Sequence, residues 1–152
     1  GDPAMGGHAS FTFGLALAQP KEHVVLFDSE GDLLMNMGAL ATIAEAAPKN
    51  FYHFLIDNEC YATTGGRPVA NAQNTSYATM AQGAGYAATY EFDDLEDFAT
   101  NVERILNEPG PVMVAMKIVA EVQNEPIARR RRPAMRTPAE AIRDLREELR
   151  KK

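Results

Sequence analysis

Cysteine occurs once in the 152 residues, at Cys60, which excludes an internal disulfide and fits a reducing compartment. No apolar run approaches the ~20 residues of a membrane-crossing helix, and no charged segment followed by an apolar one opens the chain. The expectation is a cytoplasmic protein with no membrane partner. No internal repeat is visible. Basic residues are scarce over most of the length: residues 1–128 hold 17 acids against 5 Lys/Arg, while 129–152 hold 10 Lys/Arg against 4 acids. An acidic body disfavours a polyanion, and no aromatic is interleaved with the Arg129–Arg132 run. The tail therefore reads as a solvated connector docking on an acidic surface, with no nucleic acid as partner.

What is present describes an ordinary globular domain, 45% hydrophobic and 24% charged. Small residues (GDPAMGGHAS) lead into an alanine-rich apolar segment that reads as a buried helix ending near Pro20. The apolar run Val24 to Phe27 is a strand. Leu33, Leu34, Met37, Leu40, Ala41, Ala44 and Ala47 recur at helical spacing, which predicts one core helix from about Asp32 to Ala47, ended by Pro48. Asn36 and Gly38 are unusual inside it. Phe51 to Ile56 is nearly unbroken apolar sequence, as a parallel strand buried on both faces requires.

Beyond the loop at 57–61, Asn74 to Gln82 reads as a short helix capped by Thr75 or Ser76, and Ala87 to Phe92 as a strand. Asp93 or Asp94 caps a helix through Asn107, with Leu95, Phe98, Val102, Ile105 and Leu106 on its buried face. Val112 to Val119 is the last strand. Thr137-Pro138-Ala139-Glu140 is a capping box opening an amphipathic C-terminal helix with Leu145 and Leu149 on its apolar stripe. Gly83 to Ala88 matches a dinucleotide fingerprint but precedes a strand, so its required context is absent. Helices and strands alternate throughout, predicting an α/β fold with a parallel sheet.

A helix from Asp32 to Ala47 is roughly 24 Å long, and a seven-residue strand returns roughly 23 Å. In a right-handed crossover the two strands then end side by side, so Glu30 and Asn58 meet beside a helix N-terminus at the carboxyl edge of the sheet, where such sheets bind ligands.

Gly31 to Pro68 reads GDLLMNMGALATIAEAAPKNFYHFLIDNECYATTGGRP. This stretch resembles the diphosphate-binding domain of thiamine diphosphate (TPP) enzymes, in particular the phosphonopyruvate and sulfopyruvate decarboxylase branch. The family pattern is an apolar strand, Gly-Asp-Gly, the run LLMN-x-G-x-L-x-TI, then an Asn-containing loop followed by TGG. The resemblance spans roughly residues 3–120 and implies a three-layer α/β/α parallel sheet of the thiamine diphosphate-binding fold. It divides the chain into that domain (1–120), a basic connector (121–136) and a C-terminal helix (137–152) packed on the domain or a partner.

The resemblance further implies thiamine diphosphate and Mg²⁺ as cofactors. Matched without gaps, Glu30 takes the place of the metal-binding Asp, Asn58 that of the Asn ligand, and Cys60 offers its carbonyl. Met5 and Gly6 would bend the cofactor, while Gly31, Asp32, Leu33, Asn58, Cys60 and Tyr61 would line it. His8, Thr63 and Thr64 are the implied catalytic positions. For His8 the alternative is a structural role on a first helical turn. Where the family has Gly-Asp-Gly-Ser, this chain has Ser29-Glu30-Gly31-Asp32. Either Asp32 turns outward or it replaces Glu30 as ligand; both acids also favour a helix N-terminus electrostatically.

Arg67, whose fork suits an anionic group, is a substrate contact or a solvated turn residue. Lys117 resembles a lysine of the same branch, with a strand-end salt bridge as the plain alternative. His23 and His53 read as packing or surface. The implied partners are a small anionic 2-oxo acid, a pyrimidine-binding α subunit that would activate the cofactor, and a second copy of this chain within a hetero-oligomer. On this reading the chain alone is inactive. The competing reading is a non-catalytic remnant of the same domain with a degenerate metal site.

Overall fold

The computed structural model describes residues 5–122 and 136–150. The calls on the arginine run 129–132 and on residues 1–4 lie outside them. Four strands form a parallel sheet in the order β1 (Val24–Ser29), β2 (Phe51–Asp57), β6 (Val112–Lys117), β5 (Ala88–Phe92). Central β2 is buried along nearly its whole length, whereas edge strand β1 alternates buried and exposed residues. The apolar run of β2 follows from burial on both faces, whereas β1 leaves the apolar Val25 and Phe27 exposed. A second, two-stranded antiparallel sheet pairs β3 (Cys60–Tyr61) with β4 (Arg67–Pro68).

Helices cover both faces, giving the three-layer arrangement. On one side α1 (His8–Ala18), α2 (Glu30–Met35), α3 (Gly38–Ala46) and α4 (Tyr77–Ala84) enclose a core of Ala9, Ala16, Leu33, Leu40, Ile43 and Tyr77. On the other, α5 (Leu95–Leu106) lays Phe98, Val102, Ile105 and Leu106 against Tyr52, Phe54, Phe92, Val112 and Val114. Leu95 does not join that face; at 78% exposure it occupies the solvent side of the first turn, just past the Asp94 cap.

The predicted single helix over 32–47 is two. Ser29 caps α2, its hydroxyl accepting the Asp32 N–H at 3.2 Å, so the helix begins at Glu30. It stops after Met35 because Asn36 leaves the helical region (φ −149°, ψ 55°) and spends its amide on the Gly6 carbonyl at 3.1 Å. The short α2 thereby keeps its own direction at the end of β1. Ala41 and Ala47 are exposed, and Ile43, fully buried, takes the core position on α3. The cap assignments of the later helices resolve to Ser76, Asp94 and Thr137, the last with Glu140 reaching back to the Thr137 N–H at 2.8 Å at the start of α6 (Pro138–Arg150).

Candidate functional site

β1 and β2 run in register with Ser29 opposite Ile56, so the segments leaving them start side by side. β1 passes directly into α2 at Glu30. β2 passes into a tight loop in which Asp57 Oδ1 accepts the Glu59 N–H (3.1 Å) and Asn58 Oδ1 accepts the Cys60 N–H (3.0 Å). These two side-chain turns hold Glu59 in the left-handed region at φ 61°, a conformation a non-glycine residue adopts only under such constraint.

Glu30 faces this loop. It is 1% exposed, and neither carboxylate oxygen has a hydrogen-bond partner. Burial pushes its pKa up and the Asp57 charge adds to that, while the nearby N–H groups of Glu30, Asn58 and Cys60 oppose the rise. An unsatisfied buried carboxylate is costly. A divalent cation would relieve it, and the loop whose Asn58 and Cys60 N–H groups act on the carboxylate also carries an amide oxygen and a backbone carbonyl, hard donors of the kind that Mg²⁺ takes. The residues present fit such an ion.

Next to Glu30, a Cβ built on Gly31 would meet Tyr61 Cδ1 and Cε1 at 3.0 Å, so the half-buried Tyr61 ring lies directly on the backbone of α2. Leu33 is 1% exposed and belongs to the core, leaving only its backbone for a ligand. Met5 is 62% exposed and precedes Gly6, whose φ of 77° makes the turn into α1.

Asp32 behaves differently from Glu30. Its Oδ1 accepts the Gly6 N–H at 2.6 Å and its Oδ2 meets His8 Nδ1 at 2.9 Å. It neither turns outward to solvent nor faces the Asn58 loop. His8 Nδ1 also lies 3.4 Å from Asp28 Oδ1, and Asp28 Oδ2 lies 3.2 Å from His53 Nε2. His8, Asp28 and Asp32 thus converge, their ligand atoms within 4.8 Å of one another. Unlike Glu30, each of these groups has a partner. Burial pushes the Asp28 pKa up, but the hydrogen bond and charge of His53, the Ser29 N–H and His8 outweigh it, holding the carboxyl below its usual range.

Thr63 and Thr64 occupy a single 3-10 turn and are exposed, Thr64 Oγ1 donating to the Tyr61 carbonyl at 3.4 Å. Arg67 is exposed on β4. Lys117 closes the base of the loop, its Nζ 2.7 Å from Glu59 Oε1 and 3.3 Å from Asp57 Oδ2, the salt bridge its strand-end place allowed.

The family described as thiamine pyrophosphate enzyme, C-terminal TPP binding domain, matches residues 2–116. The chain belongs to this family. It is 34% identical over 116 residues to a sulfopyruvate decarboxylase subunit β of Methanocaldococcus jannaschii and 37% identical over 115 residues to that of Methanothermobacter thermautotrophicus. These alignments take in 76% of this chain and 61% and 58% of those relatives. Phosphonopyruvate decarboxylase of Streptomyces hygroscopicus is 34% identical over 115 residues, 28% of its length. The chain therefore spans about three fifths of the β subunits it matches and less of the phosphonopyruvate decarboxylase. An X-ray structure from Mycobacterium smegmatis, of an enzyme assigned as thiamin diphosphate-dependent, superposes with a TM-score of 0.67 at 16% identity, covering 78% of this chain and 23% of that one. At that identity it shows the fold.

Within this TPP-binding domain, the sequence assigned no role to Asp28 or Tyr77, marked Asn36 only as unusual inside a helix, and read His53 only as packing or surface. Asp28 and His53 are buried polar groups paired inside the sheet. Their signal was an acid ending one apolar strand and a histidine interrupting the next, two residues whose partnership needed the parallel register to be seen.

Proposed function

We propose that this chain is the thiamine diphosphate- and magnesium-binding subunit of a decarboxylase acting on a small anionic 2-oxo acid of the sulfopyruvate or phosphonopyruvate kind. The observation that carries the reading is the Glu30 carboxylate, buried without a donor and facing the Asn58–Cys60 loop. Glu30, Asn58 and the Cys60 carbonyl would hold Mg²⁺, which would supply positive charge for binding the diphosphate. The backbone at Gly31 and Leu33 would meet the phosphates. Asp32 acts at one remove, because its carboxylate is committed to Gly6 and His8. That commitment turns the carboxylate toward Gly6 and His8, whose N–H groups offset part of the repulsion an acid at this place would exert on a phosphate. Met5 and Gly6 would set the bend of the cofactor and Tyr61 would pack beside it.

When bound, the cofactor supplies a nucleophilic carbon and an electron sink for loss of carbon dioxide. The chain's own residues bind, orient and screen. His8, held through Nδ1 by Asp32 and Asp28 beside the turn that bears Met5, would stand near the substrate. Thr63 and Thr64 offer hydroxyls and Arg67 a cation from the adjoining loop, where substrate contacts commonly lie. Residues 1–120 would form this domain, with 121–136 a connector and 137–152 a helix for docking on the domain or a partner. A pyrimidine-binding α subunit would complete the active site, with two copies of this chain in the assembly.

Calorimetry tests the reading. Thiamine diphosphate titrated into this chain mixed with its pyrimidine-binding partner is expected to give binding heat with Mg²⁺ and little without it. Absence of heat in both conditions would instead favour the remnant reading.

A further inference from the structure

Tyr77 opens α4 immediately after the Ser76 cap and is 1% exposed. Its hydroxyl has no hydrogen-bond partner, although a buried phenol normally finds one. Among the described residues, the fully buried side-chain oxygens left without a partner belong to Glu30 and Tyr77. One residue brings two acceptors and the other a donor. Asp57, the third buried group here, is satisfied by the Glu59 N–H and by Lys117. Tyr77 packs in the same buried cluster as Leu33, three residues beyond Glu30, and burial together with the charges of Asp57, Glu30 and Tyr61 pushes the phenol's pKa upward.

Resting on the metal reading above, we propose that Tyr77 is a positioning residue for the cation site: its hydroxyl is the outer hydrogen-bond donor that fixes the carboxylate of Glu30 when the ion is bound. A ligating carboxylate needs such a partner to hold its orientation. The need is greater here, because Glu30 is one methylene longer than the aspartate of the family pattern and has one more torsion to fix. An ion drawing Glu30 to one orientation would give the phenol an acceptor.

The test uses Mn²⁺ as the probe, titrated into the full chain mixed with its pyrimidine-binding partner with thiamine diphosphate present, and followed by the electron paramagnetic resonance of the free ion. Wild type is compared with Tyr77→Phe and Glu30→Gln, and the melting temperature of each metal-free chain is recorded. Tyr77→Phe is expected to weaken Mn²⁺ binding about tenfold, the low end for an outer-shell partner. Its metal-free melting temperature is expected to equal or exceed wild type, because an unsatisfied hydroxyl has been removed. Unchanged Mn²⁺ binding by Tyr77→Phe, with binding lost in Glu30→Gln, would overturn the role of Tyr77 and leave the metal site standing. A lowered metal-free melting temperature would overturn it too, as the mark of a packing role. No Mn²⁺ binding by wild type, or none of it dependent on Glu30, would overturn both readings.

Discussion

The Asp32 carboxylate joins the two ends of the site, taking the Gly6 N–H on Oδ1 at 2.6 Å and His8 Nδ1 on Oδ2 at 2.9 Å. Asn36 grips the same turn from its other side, donating to the Gly6 carbonyl. The turn bearing Met5 is therefore held by side chains of α2 and of the residue that ends it. Asp32→Ala is expected to destabilise the chain by ~1–3 kcal/mol, the range for removing a buried hydrogen-bonded charge partner. Asp32→Asn keeps an acceptor for Gly6 and should lose less than half of that. Urea unfolding of the two variants checks the ordering.

Glu30 makes the opposite prediction. Its folded pKa lies above the ordinary carboxylate value of about 4.3, so the folded, metal-free chain binds that proton more tightly than the unfolded one. Stability from this group is fully present below the ordinary value and is lost as pH rises through the folded one. Glu30→Gln should flatten that slope and raise metal-free stability at neutral pH by ~1–3 kcal/mol, the penalty of an unsatisfied buried group. Mg²⁺ with thiamine diphosphate should stabilise wild type and leave the variant unmoved. Urea midpoints from mildly acidic to neutral pH, with and without the ligands, read all three effects.

Asp28 shows the reverse pH dependence. Its folded pKa is held below the ordinary value of about 3.9, so the stability it contributes is present above that value and disappears as acid carries the pH down through the folded pKa. Asp28→Asn removes a buried charged partner of His53 and should cost ~1.5–3 kcal/mol at neutral pH. The variant should also lose less stability than wild type between neutrality and strong acid. Chemical unfolding across that range is the measurement.

Gly31 isolates the packing of Tyr61. The glycine has an ordinary helical backbone, so alanine is favoured there by propensity, yet its Cβ would come within 3.0 Å of the Tyr61 ring. Gly31→Ala should displace the ring and weaken thiamine diphosphate binding about tenfold, or ~1.4 kcal/mol. Adding Tyr61→Ala should not deepen the loss by the full effect of that substitution alone, because the two act at one contact. Fluorescence or calorimetric titration of the four proteins completes the cycle.

Sequence periodicity was enough to place the sheet. Apolar strands at 24–27, 51–56, 87–92 and 112–119 alternated with helical repeats, and a right-handed crossover left little freedom in joining them. The same pattern misjudged 32–47 as one helix, because periodicity continues across Asn36 and only the contact of its amide with Gly6, thirty residues away, ends α2. Leu95 was misplaced for a related reason: the first turn past a cap can carry an apolar residue on its outer side. Chain return placed Glu30 near the Asn58 loop. By itself it did not separate Glu30 from Asp32, since both stand near the helix start; the gapless match to the family pattern favoured Glu30. What distinguishes them is long-range: Gly6 and His8 occupy Asp32, and nothing occupies Glu30.

Anomalous scattering from crystals of the chain with its partner, grown with Mn²⁺ and thiamine diphosphate, tests the central claim most directly. The account predicts one strong peak about 2 Å from the Glu30 carboxylate, the Asn58 amide oxygen and the Cys60 carbonyl. A peak among His8, Asp28 and Asp32 instead, or none in a crystal that contains the cofactor, would contradict it.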